Sequence, residues 1–180
     1  MKNLLILTGF ILITSFTSSL FAQKDKFIKD YLERLENSQK YLMQVAETMP
    51  QEHYTFRATA ESMTFAENFL HIGYAIDWHS QSLLGGRESR EWKTDTLFKV
   101  AKKSKLEMIA TVNNAFNEAI NLIKAFDTNQ LDAELDYFGL NRSKRQILLL
   151  LADHITHHRG QMLVYMRLNG LVPPRYVLYQ

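Results

Sequence analysis

Cysteine is absent from the 180 residues. That excludes disulfides, thiolate metal ligands, a thiol nucleophile and a lipid-bearing cysteine. Proline occurs only at positions 50, 173 and 174, and there are seven glycines, so long stretches contain no helix breaker. Neither sign of charge dominates: 21 basic residues face 19 acidic ones, intermixed along the chain. A nucleic-acid surface, which needs a basic excess, is therefore not expected. No internal repeat or low-complexity tract is present. What remains is 46% hydrophobic and 12% aromatic, enough for a single packed domain.

The first 22 residues are a separate object. Lys2 is the only charge before Lys24, and an apolar run from Leu4 to Phe16 follows it. Thr17-Ser18-Ser19 and Leu20-Phe21-Ala22 then lead to Gln23. A basic start, an apolar middle and a small residue at the end is the order of a secretory signal. Residues 1–22 are thus expected to be a cleaved leader and 23–180 an exported domain, periplasmic or secreted. The run is short against the roughly 20 apolar residues of a membrane span, the rival reading. No stable membrane insertion is expected after cleavage. An exported chain without disulfides relies on its core, or on a metal, for stability.

Helical spacing of apolar residues predicts four helices in the mature chain. Phe27, Tyr31, Leu32, Leu35, Tyr41, Leu42 and Val45 mark the first, from about Asp25 to Glu47, which Pro50 ends. Thr64 and Glu67 form a capping box that opens the second, which runs to about Leu84 before Gly85-Gly86. Residues 87–103 read as a loop. Ser104 and Glu107 form another box, opening the third helix to about Phe126. A polar connector from Asp127 to Asn141 follows. The fourth helix spans Ser143 to Leu168, with Asn169-Gly170 as its C-cap and Pro173-Pro174 forbidding continuation. The expected fold is all-α, a four-helix bundle behind a signal peptide.

Three of the six histidines fall between Asp153 and Gln161. His154 and His158 are four apart and share one helix face. The stripe Ile147, Leu151, His154, His158, Gln161, Tyr165 continues along that face, and its apolar members turn the histidines inward. Buried imidazoles need partners, and one metal ion is a solution. A third ligand must come from a facing helix. His71, on the stripe Thr64, Asn68, His71, Ala75, Trp78, is the candidate. His157 lies off the shared face and reads as a rim residue. His79, nearer the polar end, reads as exposed, and His79→Ala is expected to change neither metal content nor stability. Asp153 reads as solvated, and Tyr74, Trp78 and Tyr165 as core or pocket lining.

The segment His154-Ile155-Thr156-His157-His158-Arg159-Gly160-Gln161-Met162, with Arg167-Leu168-Asn169-Gly170 and Pro173-Pro174 after it, resembles the DinB-like family of bacterial metalloproteins. Met49-Pro50, Phe56-Arg57, the run from Ser62 to Glu67, and His71 resemble it as well. The likeness spans roughly 25 to 175. It implies a four-helix bundle (DinB/YfiT-like) with one divalent metal, zinc or nickel, on His71, His154 and His158. Relatives with known activity are thiol-dependent enzymes: some transfer a small thiol to electrophiles, and one isomerises maleylpyruvate. The leader departs from their cytoplasmic pattern, and cellular thiols are scarcer outside the cytoplasm.

Three functions fit these residues. A metal-dependent hydrolase or thiol transferase would act on a small-molecule substrate that the residues do not identify. A non-catalytic bundle would carry metal or a small ligand. A structural bundle would hydrogen-bond its histidines to one another without metal. Asp77, Asp153 and Glu67 are the nearby carboxylates, and no general base can be assigned among them. A homodimer is compatible with the pattern, though no exposed stripe marks an interface.

Overall fold

The structure, a computed structural model, describes residues 2–176, with side chains from Gln23 onward. The expected leader lies outside the residues whose side chains are described. Four long helices are present: α1 (Lys2–Thr48), α2 (Phe65–Asp77), α3 (Lys105–Lys124) and α4 (Lys144–Leu168). Among the described residues, no helix is long and apolar enough to cross a membrane.

The helix ends follow local chemistry. Thr64 Oγ1 accepts from the Glu67 amide at 3.1 Å while the Glu67 carboxylate accepts from the Thr64 amide at 2.7 Å. Ser104 with Glu107, and Ser143 with Gln146, repeat the arrangement at α3 and α4. Each box satisfies amides that the first helical turn leaves without partners. At the other end of α4, Gly170 takes a φ of +74° and the Leu171 amide donates back to the Met166 carbonyl at 2.9 Å. The backbone reversal needs that positive φ.

α2 lies at the centre, packed on α3 and α4, while α1 packs mainly on α3. Phe65, Phe69, Ile72 and Ile76 of α2 meet Phe116 and Ile123 of α3 and Ile147, Leu148 and Leu151 of α4 in one buried cluster. At the C-terminal end, the buried Arg159 guanidinium stacks on Tyr41 and Tyr176, with ring centroids 5.3 and 5.4 Å away. This ties the segment after α4 to α1.

Two features depart from expectation. α2 does not end as an α-helix but continues as a π-helix, Trp78–Leu84, closed by the Gly85 amide donating to the Ser80 carbonyl at 2.9 Å. The wider turn changes which face its residues present. The connector read as purely polar also carries structure: a 3₁₀ turn, Thr128–Asp132, and an antiparallel hairpin of β1 (Glu134–Tyr137) and β2 (Leu140–Ser143). The fold is therefore mostly helical, not strictly all-α. Phe138 and Gly139 form the two-residue hairpin turn, both with positive φ, +55° and +80°. That pair of angles suits the right-handed twist of the strands.

The loop 87–103 folds back over α2. The buried Asp77 carboxylate holds Arg87 and, at 3.2 Å, Arg90. Tyr74 donates to the Arg90 carbonyl at 3.0 Å, and the Trp78 indole donates to Ser89 at 3.2 Å. Gly73 allows the approach: a Cβ there would sit 2.9 Å from the Phe98 ring.

Candidate metal centre

Packing of α2 on α4 brings His71, His154 and His158 together, with one ring nitrogen from each within 4.8 Å of the others. Their ring centroids form a triangle with sides of 4.9, 4.6 and 4.6 Å. His158 is buried and the other two are half-buried.

The polar atoms around the cluster decide what it can bind. His158 Nδ1 lies 2.8 Å from Asn68 Oδ1. The Asn68 amide nitrogen donates to the Met63 and Thr64 carbonyls at 3.2 and 3.0 Å, which fixes the orientation of the amide. Its oxygen must therefore face His158 and accept from Nδ1–H. That leaves His158 Nε2 with a lone pair and no proton. His71 Nδ1 and His154 Nε2 are buried without any hydrogen-bond partner. Such unpartnered buried nitrogens are costly unless something binds them, and a metal ion fits. The residues also favour the neutral ligand form. Burial, then the neighbouring histidines, push His154 down to about 3 and His158 to about 4. Burial, then Lys99, lowers His71. The three shifts all favour the neutral imidazole that coordination requires.

Two residues here differ from the sequence reading. Asn68 stood in the α2 stripe without a role, and it orients His158. His79 is not exposed as expected: it is buried at 2%. Its Nδ1–H donates to the Ala75 carbonyl at 2.7 Å, so Nε2 accepts from the Tyr137 hydroxyl at 3.1 Å. The π-helical turn and the hairpin together enclose it. His79 is fully engaged by these two bonds, although its ring lies 6.3 Å from that of His154. Against the sequence reading, His79→Ala is expected to lower stability by about 2 kcal/mol through a cavity and the loss of the Tyr137 hydroxyl's acceptor. Metal content should not change. Denaturant unfolding and elemental analysis of that variant check both halves, and loss of metal would make His79 a ligand.

The other candidates are placed plainly. His157 is exposed and accepts from the Gln161 amide at 3.0 Å. Asp153 is solvated and lies 3.8 Å from Arg34. Glu67 serves the capping box and lies 3.7 Å from Arg57, while Asp77 is taken by two arginines. None of the three carboxylates is free at the cluster. Tyr165 is core, its hydroxyl donating to the Met63 carbonyl at 3.0 Å. Trp92, which the sequence did not single out, packs edge-on against His71 with centroids 5.5 Å apart. It also lines a cleft of about 470 Å³ with Met63, Phe98 and Lys99, so the cleft adjoins the cluster through this ring.

Four helices with histidines converging from two of them define a helical bundle with a three-histidine cluster between α2 and α4. The sequence pattern of the DinB family matches residues 22–179, and the chain belongs to that family. It is 25% identical over 134 residues to the YjoA protein of Bacillus subtilis, covering 71% of this chain and 80% of that one. To YrdA of the same organism it is 26% identical over 163 residues, covering 86% and 88%. The crystal structure of YjoA, a DinB-like protein, shares the fold with a TM-score of 0.66 at 22% identity, covering 86% of this chain and 99% of that one. A DinB-like protein from Bacillus cereus gives 0.67 at 23%, covering 83% and 95%.

Proposed function

We propose that this DinB family protein is exported and binds one divalent metal ion, zinc or nickel, through His71, His154 and His158. The observation that carries the reading is the convergence of one ring nitrogen from each of His71, His154 and His158 within 4.8 Å, with His71 Nδ1 and His154 Nε2 buried and unpartnered. Three histidines leave a coordination position open for a reacting ligand. An ion held there would supply Lewis acidity and would lower the pKa of a water or thiol toward neutrality. The chain's own contribution is orientation: Asn68 holds His158 in one tautomer, and the half-buried setting keeps the imidazoles neutral. The reaction class is metal-dependent hydrolysis or thiol transfer on a small molecule.

One observation favours the alternative, a non-catalytic metal- or ligand-binding bundle. Asp77, Glu67 and Asp153 are all engaged elsewhere, so none of these carboxylates stands ready to move a proton at the cluster.

Elemental analysis of protein purified without chelating resin tests the site. About one zinc or nickel per chain is expected, and none in the His154→Ala/His158→Ala double variant. Equal metal in both would remove the assignment. Turnover of an ester, or of an electrophile with added thiol, that disappears on chelation would select the enzyme over the carrier.

A further inference from the structure

Glu67 and His71 stand one turn apart on the same face of α2. His71 belongs to the histidine cluster, whereas Glu67 lines the cleft of about 470 Å³ beside Met63, Val100 and Lys99. Cleft and cluster therefore occupy successive turns of one helix. Trp92 flanks both. It packs edge-on to His71 at 5.5 Å and carries the Lys99 ammonium on its face, 3.1 Å from the ring centroid. The His71 imidazole stays half-buried beside it.

Lys99 is the unusual member of this cleft. It is half-buried, and its chain neighbour Phe98, buried against Gly73, anchors it. Yet among the described residues no carboxylate lies within ion-pair distance of its ammonium. The carboxylates of the cleft are otherwise placed: Glu67 accepts from the Thr64 amide at 2.7 Å and lies 3.7 Å from Arg57, and Glu61 is exposed. The contacts of Trp92 also confine the ammonium. It lies no farther from the His71 ring than those 3.1 and 5.5 Å laid end to end. Its charge is felt there, since burial first and Lys99 second lower the His71 pKa. An ammonium so placed repels any cation held by the three histidines unless an anion lies between the two.

We infer that the cleft binds a small, singly charged carboxylic acid, its carboxylate on Lys99 and its apolar part against Met63 and Val100, and that such acids are the substrate class of the histidine site. The last clause rests on the proposed metal-site function; binding in the cleft does not. The single charge follows from the cleft's own charges. Lys99 is one cation without an anion, and a dianionic phosphate would set its second charge against Glu61 and Glu67. A cleft of this volume, with apolar walls and one orienting charge, is typical of sites for small ligands. The short span from Lys99 to His71 puts the reacting bond within a few atoms of the carboxylate.

The chain has two tryptophans, Trp78 and Trp92, hence two indole N–H resonances, told apart by the one that Trp92→Phe removes. Titrating the chelated protein with 4-phenylbutyrate should shift the Trp92 resonance saturably and leave that of Trp78 in place. The neutral counterpart, 4-phenylbutanol, should bind at least tenfold more weakly, as loss of a charged hydrogen bond implies. The dianionic 4-phenylbutyl phosphate should bind no more tightly than the acid. Lys99→Gln, with its fold verified by an unchanged melting temperature, should weaken the acid at least tenfold and leave the alcohol alone; Lys99→Arg should restore the acid. Equal affinities for acid and alcohol, an acid indifferent to Lys99→Gln, or a shift at Trp78 alone overturns the cleft. Tighter binding of the phosphate overturns the single charge. Zinc-loaded protein should bind the acid several-fold more tightly than chelated protein, and equal affinity overturns the substrate clause. Metal content of the same samples separates the two readings. Lys99-dependent binding without stoichiometric metal sinks the metal proposal alone, and stoichiometric metal without Lys99-dependent binding sinks the acid-binding cleft alone.

Discussion

Replacing His158 by alanine is expected to erase the thermal stabilisation that added zinc or nickel should give the parent protein. A ligand that binds only the folded state stabilises it by about 2.7 kcal/mol at a hundred times its dissociation constant. For a domain of this size that corresponds to a rise of about 5–10 °C in melting temperature. The parent should show the rise, and His158→Ala should show none at any added metal concentration. Two losses combine in the variant. One of three converging nitrogens is gone, and Asn68 Oδ1 loses its donor in a buried place, at 2.8 Å in the parent. The apo variant should therefore also melt below the apo parent. A metal-dependent rise that survived in His158→Ala would remove this residue from the ligand set.

The second large effect is expected at Asn68, which binds no metal itself. Asn68→Ala removes the acceptor that keeps the proton on His158 Nδ1, so Nε2 is no longer held as the free lone pair. Loss of such an orienting partner typically costs 10–100-fold in metal affinity. Asn68→Ala should bind one ion per chain, as is expected of the parent, but about 10–100-fold more weakly. Competition with a chelator of known affinity measures this. Stoichiometry distinguishes the two variants: His158→Ala loses the site, while Asn68→Ala loosens it. An unchanged affinity in Asn68→Ala would mean that packing alone orients His158. Nuclear magnetic resonance of the imidazole nitrogens would show the Nδ1-protonated tautomer in the parent and a mixture in the variant.

The residues readable from sequence are those whose signal is local. Thr64 with Glu67 and Ser104 with Glu107 sit three apart, and the boxes they form are complete in the fold. Pro50 and Gly85-Gly86 act on the backbone at their own positions, and the helices end there as the sequence requires. The convergence of His71, His154 and His158 followed from two apolar stripes, because an amphipathic helix has only one inward face. The misreadings share a different cause. His79 reads as exposed from its place near the polar end of the second helix, yet there Trp78–Leu84 widens into a π-helix and the ring is buried. Its second cover, Tyr137, stands 58 residues away in a hairpin whose strands have only four residues each. Strands so short carry almost no alternation, and a Phe-Gly turn lacks the usual hairpin signature. Asn68 was visible as a polar residue in an apolar stripe. Nothing in the sequence said that its partner would be a histidine 90 residues later.

That separation also bears on how the protein reaches its folded state. His154 and His158 are one turn apart, so α4 presents both as soon as it is helical, within about a microsecond for an isolated helix. His71 joins them only after the long intervening chain has closed and α2 has docked, an event opposed by loop-closure entropy. An ion met early would be held by two ligands on a lone helix and gripped fully only at the last docking step. The metal would then slow departure of α2 far more than it hastens arrival, and its effect would fall on the rate of unfolding.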